Sequence, residues 1–146
     1  MGEPLEPPDE LESLAGELNS IAIHLVRRLR RADQSLGVPP GRLSALSVLV
    51  FGGPRRLSAL ADAEQVAGPT MSKIVAGLER SGLVRREPDP ADARAVVLSA
   101  TPKGRRLMER GRRQRVERLV AELRDLPPAD LATLGRAAAI LRSLES

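Results

Sequence analysis

The chain has 146 residues, 42% apolar and 29% charged, with no cysteine, a single histidine (His24) and a single aromatic residue (Phe51). That length suits one domain with a real core, and the missing thiols exclude disulfides, thiolate metal sites and thiol redox sensing. No apolar run approaches the roughly 20 residues needed to span a bilayer. The acidic, Pro-rich start is unlike a presequence, so the expected location is the cytoplasm.

The formal net charge of +4 is unevenly spread: residues 1–26 hold six acids and no base, whereas residues 68–115 hold twelve bases against five acids. A basic middle on a dipolar chain points to a polyanionic partner. A single aromatic side chain weakens any reading of single-stranded nucleic-acid binding, which relies on aromatic platforms for base stacking.

Residues 1–8 are expected to be a disordered tail, and 9–146 a single domain. From about Asp9 to Ala32 a helix is predicted, because Leu11, Leu14, Leu18, Ile21 and Leu25 follow 3-4-3-4 spacing. Ala15, Ala22, Val26 and Leu29 widen that stripe until it suits a helix with neighbours on two sides. Gly37-Val38-Pro39-Pro40 reads as a turn, and a second helix starts near Pro40 and ends at Gly52-Gly53-Pro54. A short helix, Leu57 to Glu64, is followed by a turn around Val66-Ala67 and by another helix opening at Gly68-Pro69, whose inward residues are Met71, Ile74, Val75 and Leu78. Ser81-Gly82 closes it, the glycine serving as C-cap.

Leu83 to Glu87 and Ala95 to Ser99 then read as two strands around a turn at Pro88–Asp92. Thr101 is a good N-cap, with Pro102 at the first position, for an Arg-rich helix to about Arg124. After Leu126-Pro127-Pro128 a last helix carries Leu131, Leu134, Ala138, Leu141 and Leu144. The expected fold class is mainly α with a small β-hairpin wing: a winged helix-turn-helix over 40–100, flanked by dimerisation helices at 9–36 and 101–146.

That order predicts a site. In helix-turn-helix recognition the second helix offers its N-terminal side chains to base edges in the major groove. With the apolar residues inward, Pro69, Thr70, Ser72 and Lys73 stand outward, as hydroxyls and a cation suited to phosphates and base edges. The hairpin turn is flanked by Arg85, Arg86 and Arg94, and an arginine on a thin loop can enter the minor groove, where negative potential is focused. Asp92, two residues before Arg94, is placed to hold its guanidinium by a charge-assisted bond.

The segments Leu78-Glu79-Arg80-Ser81-Gly82-Leu83-Val84-Arg85-Arg86, Asp89-Pro90-Ala91-Asp92-Ala93-Arg94 and Leu98-Ser99-Ala100-Thr101-Pro102-Lys103-Gly104 closely resemble the signature of the MarR family. The resemblance implies homodimers with interlocked terminal helices that regulate transcription. Each subunit would place a recognition helix in the major groove and a wing arginine in the minor groove. By position Pro69, Thr70, Ser72 and Lys73 fall on the recognition-helix contacts, and Asp92 and Arg94 on the wing; Arg86 completes the DNA-binding set. A ligand-responsive repressor on a pseudo-palindromic operator is expected, with a small-molecule effector of unknown identity bound between the two regions. Departures are Glu64-Gln65 in place of an apolar residue and glycine, Ala67-Gly68 in place of a serine cap, and Gly77 in mid-helix.

The alternative is a dimeric helical adaptor without sequence-specific DNA binding, which would need neither Asp92-Ala93-Arg94 nor Thr70-Met71-Ser72-Lys73. An enzyme is not expected, since no Ser/His/Asp set or phosphate-cradling glycine loop is present. No cofactor or metal is expected.

Overall fold

The computed structural model describes residues 7–144. Of the tail expected over 1–8, all but Pro7 and Pro8 lies outside the described residues, and those two open the first helix, α1 (Pro7–Asp33). A 3-10 turn over Gln34–Leu36 follows and is closed by Gly37 in the left-handed region. The turn was not anticipated, but it drives Leu36 into the core. Then come α2 (Pro40–Gly52), α3 (Leu57–Glu64) and α4 (Gly68–Arg80). The hairpin β1 (Val84–Asp89) and β2 (Asp92–Ala100) leads to α5 (Pro102–Leu123) and α6 (Pro128–Ser143).

The hairpin is longer and tighter than the sequence suggests. Both strands run to the tip, so that only Pro90 and Ala91 remain between them. Val84 faces Ala100 and Pro88 faces Val96 in antiparallel register, with an irregularity between Pro88 and Asp89. A third strand fragment joins this sheet: the Arg55 N–H donates to the Leu98 carbonyl at 3.1 Å, and the Leu98 N–H donates back to the Arg55 carbonyl at 2.8 Å. One bridge is too short to leave a periodic signal in sequence.

The core lies among α2, α3, α4, the base of the hairpin and the first turns of α5, with Leu36 at its edge. Leu46, Leu49, Leu60, Met71, Val75, Leu78 and Leu98 are fully buried. Burial of each such side chain contributes roughly 1.5–3 kcal/mol against the chain entropy. The start of α5 is tied to this core by its cap: the Thr101 hydroxyl accepts from the Gly104 N–H at 3.1 Å and donates to the Gly82 carbonyl at 2.6 Å. Gly104 must be glycine because a Cβ there would collide with the Leu83 carbonyl and sit 3.2 Å from Leu46 Cδ1. Replacing Gly104 with alanine should therefore cost about 1–3 kcal/mol of stability. A urea titration should show a lowered midpoint at unchanged slope.

The terminal helices are differently placed. No residue of α6 is buried, and α1 is exposed from Asp9 through His24. Yet these helices carry Leu11, Leu14, Ile21, Leu131, Leu134, Ile140 and Leu141, all among the exposed large apolar side chains. The C-terminal part of α1 is clasped to α5 by an Arg115–Asp33 ion pair and by Arg28 with Glu122 at 3.1 Å, and the turn after it by the Ser35 hydroxyl donating to Gln114 at 3.0 Å.

Candidate nucleic-acid interface

The turn from α3 into α4 is built without the glycine that such turns favour. Gln65 itself takes the left-handed conformation, φ 54°, and its N–H bonds back to the Asp62 carbonyl at 3.1 Å. Val66 then donates to Ala61 at 3.0 Å and is half-buried, anchoring the turn. The Glu64-Gln65 departure thus leaves the helix pair intact, at a local backbone cost of order 1–3 kcal/mol.

Along α4, Met71, Val75 and Leu78 are buried while Pro69, Thr70, Ser72 and Lys73 are all exposed. The N-cap, Ala67, offers no side-chain oxygen to the first turn. The N–H groups of Gly68 and Thr70 consequently lack a side-chain cap, at the end of the helix where backbone dipoles favour an anion. Lys73 makes no ion pair among the described residues. Gly77 lies under the Arg42 guanidinium, which reaches over from α2 into the space a Cβ would need. An alanine there would displace the end of a flexible side chain rather than backbone, so Gly77→Ala should be tolerated and recover part of the roughly 1 kcal/mol a mid-helix glycine costs.

Below the recognition helix the chain is held from its C-terminal end. Lys103 Nζ donates to the Ser81 carbonyl at 2.8 Å, a cation placed at the negative end of α4. Arg86 Nε donates to Glu79 at 2.8 Å, and Arg85 pairs with Glu87 at 2.6 Å. Both arginines of the first strand, including the Arg86 expected at the interface, are therefore already engaged by carboxylates. The buried Ser99 hydroxyl donates to the same Glu87 at 2.7 Å.

Asp92 behaves differently from the expectation. Its Oδ1 accepts from the backbone N–H of Arg94 at 3.0 Å rather than from the guanidinium. The physical reason is reach: a carboxylate two residues back closes a compact Asx-type turn onto the main chain. The exposed Arg94 side chain is left without an ion pair among the described residues.

Two residues that sequence reasoning missed organise the tip. Asp89 Oδ1 accepts from the Ala91 N–H at 2.9 Å, while its Oδ2 accepts from Arg56 Nε at 3.0 Å and Nη2 at 2.8 Å. The Ala91 N–H and the Arg56 guanidinium hold the Asp89 carboxyl below its usual range. The Asp89-Pro90 pair signals a turn. Nothing marks Arg56, which lies 33 positions upstream.

Between α1 and α5 on one side and α2–α3 on the other lies a cavity of about 490 Å³, whose walls include Arg30, Asp33, Ser44, Glu64, Met108 and Arg115. Its size falls within the range of small-molecule sites. Among the described residues there is no cluster of His, Cys, Asp or Glu that could hold a metal ion, and no helix is long and apolar enough to cross a membrane.

Residues 36–95 match the family model described as MarR family. An uncharacterized HTH-type transcriptional regulator of Mycobacterium leprae (strain TN) is 38% identical over 113 residues, covering 77% of this chain and 79% of its own. A transcriptional regulator from Thermotoga maritima shares the fold with a TM-score of 0.81 at 26% identity, over 91% of this chain and 94% of that one. A mutant MepR of S. aureus, solved bound to an oligodeoxyribonucleotide, is similar in fold alone: TM-score 0.69 and 19% identity, over 91% of this chain and 98% of its own. With a relative of this identity over most of both chains, and the winged helix-turn-helix geometry in place, the chain belongs to the MarR family of transcriptional regulators.

Proposed function

We propose that this DNA-binding regulator acts as a homodimeric, cytoplasmic repressor on a pseudo-palindromic operator, with Pro69, Thr70, Ser72 and Lys73 in the major groove and Arg94 in the minor groove. One observation carries the reading. The helix α4 spends its apolar face on the core and leaves its opposite face, with an uncapped N-terminus and an unpaired lysine, free for a polyanion. Asp92 serves the wing by shaping its tip, and Arg86 by bracing β1 against α4 through Glu79. The oligodeoxyribonucleotide complex of MepR is a precedent for this fold on DNA. The exposed apolar stripes of α1 and α6 supply a two-fold interface, and two-fold protein symmetry matches operator palindromy.

The cavity beside Arg30 and Arg115 is the proposed effector site, because its wall includes Glu64 at the turn that leads into α4. The bland adaptor reading gains no observation: it leaves the free face of α4 without a use.

The test is anisotropy titration of a promoter fragment against competitor DNA over a salt series. Specific, salt-dependent binding is expected. In the Lys73→Ala variant a phosphate contact would appear as a uniform loss across sequences, with the salt slope reduced by about one unit. A base contact would instead remove roughly 1–3 kcal/mol of discrimination at one position. Unchanged affinity and slope together would take Lys73 out of the interface.

A further inference from the structure

We propose that Arg56 is a positioning residue for the wing, fixing from the start of α3 the direction in which Arg94 is presented to DNA. The proposal rests on the reading of the hairpin as a DNA-contacting wing and deepens it.

The hairpin has little else to orient its tip. A two-stranded ribbon alone is marginal in water, and its register is broken between Pro88 and Asp89, just where the tip begins. Beyond that point two carboxylates shape the main chain. Asp89 holds the Ala91 N–H and Asp92 holds the Arg94 N–H, each through Oδ1. Their other oxygens both face Arg56: Asp89 Oδ2 lies 2.8 Å from Nη2, and Asp92 Oδ2 lies 4.0 Å from the same atom. One guanidinium thus gathers the two groups that set the tip backbone.

Arg56 is itself well anchored. It is the N-cap residue of α3, and its neighbour Arg55 is bridged through the backbone to Leu98 of β2. The wing is therefore tied to the helix-turn-helix body twice, by the Arg55 backbone at mid-hairpin and by the Arg56 side chain at the tip. Nε and Nη2 are both spent on Asp89, whose side chain is only 14% exposed. A planar guanidinium that donates twice holds direction in a way an ammonium does not.

The experiment is operator binding by wild type and by Arg56→Ala, Arg56→Lys, Arg94→Ala and the Arg56→Ala/Arg94→Ala double variant, across a salt series. Amide hydrogen exchange of the wing is read in parallel. Arg56→Ala should weaken binding about fivefold, near the upper end of what an exposed ion pair contributes, with the lysine variant recovering part of the loss. The double variant should bind like Arg94→Ala, because Arg56 acts through Arg94. The amides of Ala91 and Arg94 should exchange faster in Arg56→Ala even without DNA.

Additive losses, with a salt slope lower by about one unit, would make Arg56 a direct phosphate contact and overturn the proposal. Unchanged exchange at Ala91 and Arg94 would overturn it as well. Wild-type affinity in Arg94→Ala is a separate outcome: it would remove the wing reading itself, and the positioning role with it.

Discussion

Leu141→Glu is expected to convert the protein from dimer to monomer and to abolish measurable operator binding at nanomolar concentration. Leu141 lies on α6, which has no buried residue in the isolated chain, together with Leu131, Leu134 and Ile140. Helices of this length are marginal in water without tertiary support, so the stripe must be covered for α6 to persist. A second copy of α1 and α6 offers matching apolar surface, including Leu11, Leu14 and Leu18. A two-fold axis places each substitution in the interface twice. Burying an unpaired carboxylate costs several kcal/mol after relaxation, and every 1.4 kcal/mol is about tenfold in the dissociation constant. The dimer constant should rise by about a thousandfold or more.

Sedimentation and light scattering decide it. Wild type should show twice the 15.7 kDa chain mass, and the variant one copy. Because the winged unit draws its core from Leu36, α2, α3, α4, the hairpin base and the first turns of α5, and from nothing on α6, its fold should survive in the monomer. A compact monomer for wild type at micromolar concentration would remove the dimer and the palindromic operator together.

The terminal helices were legible because their apolar residues keep helical spacing and are too many for one chain to cover. The recognition helix was legible for the same reason. Met71, Val75 and Leu78 point inward by period, so Thr70, Ser72 and Lys73 point outward. The local cap at Thr101 could be read because its capping partner, the Gly104 N–H, is three residues away. What could not be read depends on contacts between distant segments. Arg56 with Asp89, Arg55 with Leu98 and Arg42 over Gly77 each join residues more than 30 positions apart. No local pattern encodes such pairings, and a lone arginine on a basic chain carries no label. Asp92 was found by spacing, but its target was misjudged. The short aspartate side chain closes more readily on a main-chain N–H two residues ahead than on a mobile guanidinium.

Arg94→Ala should leave folding and dimerisation intact while lowering DNA affinity at least about tenfold, or 1.4 kcal/mol. The side chain is exposed and makes no ion pair among the described residues, so its loss from the free protein should stay within about 0.5 kcal/mol. In the complex the balance is different. A tip with only Pro90 and Ala91 between its strands is thin enough to approach a narrow groove. There the focused negative potential favours a weakly hydrated guanidinium. A dimer presents two wings, so the loss enters the binding free energy twice, and tenfold is a lower bound. Asp92→Ala should cost less, since it loosens the Arg94 backbone but keeps the charge. The double variant should match Arg94→Ala, because Asp92 has nothing left to orient. All three are compared by operator binding at one salt concentration. Wild-type affinity in Arg94→Ala would mean that the hairpin does not touch DNA, leaving recognition to α4 alone.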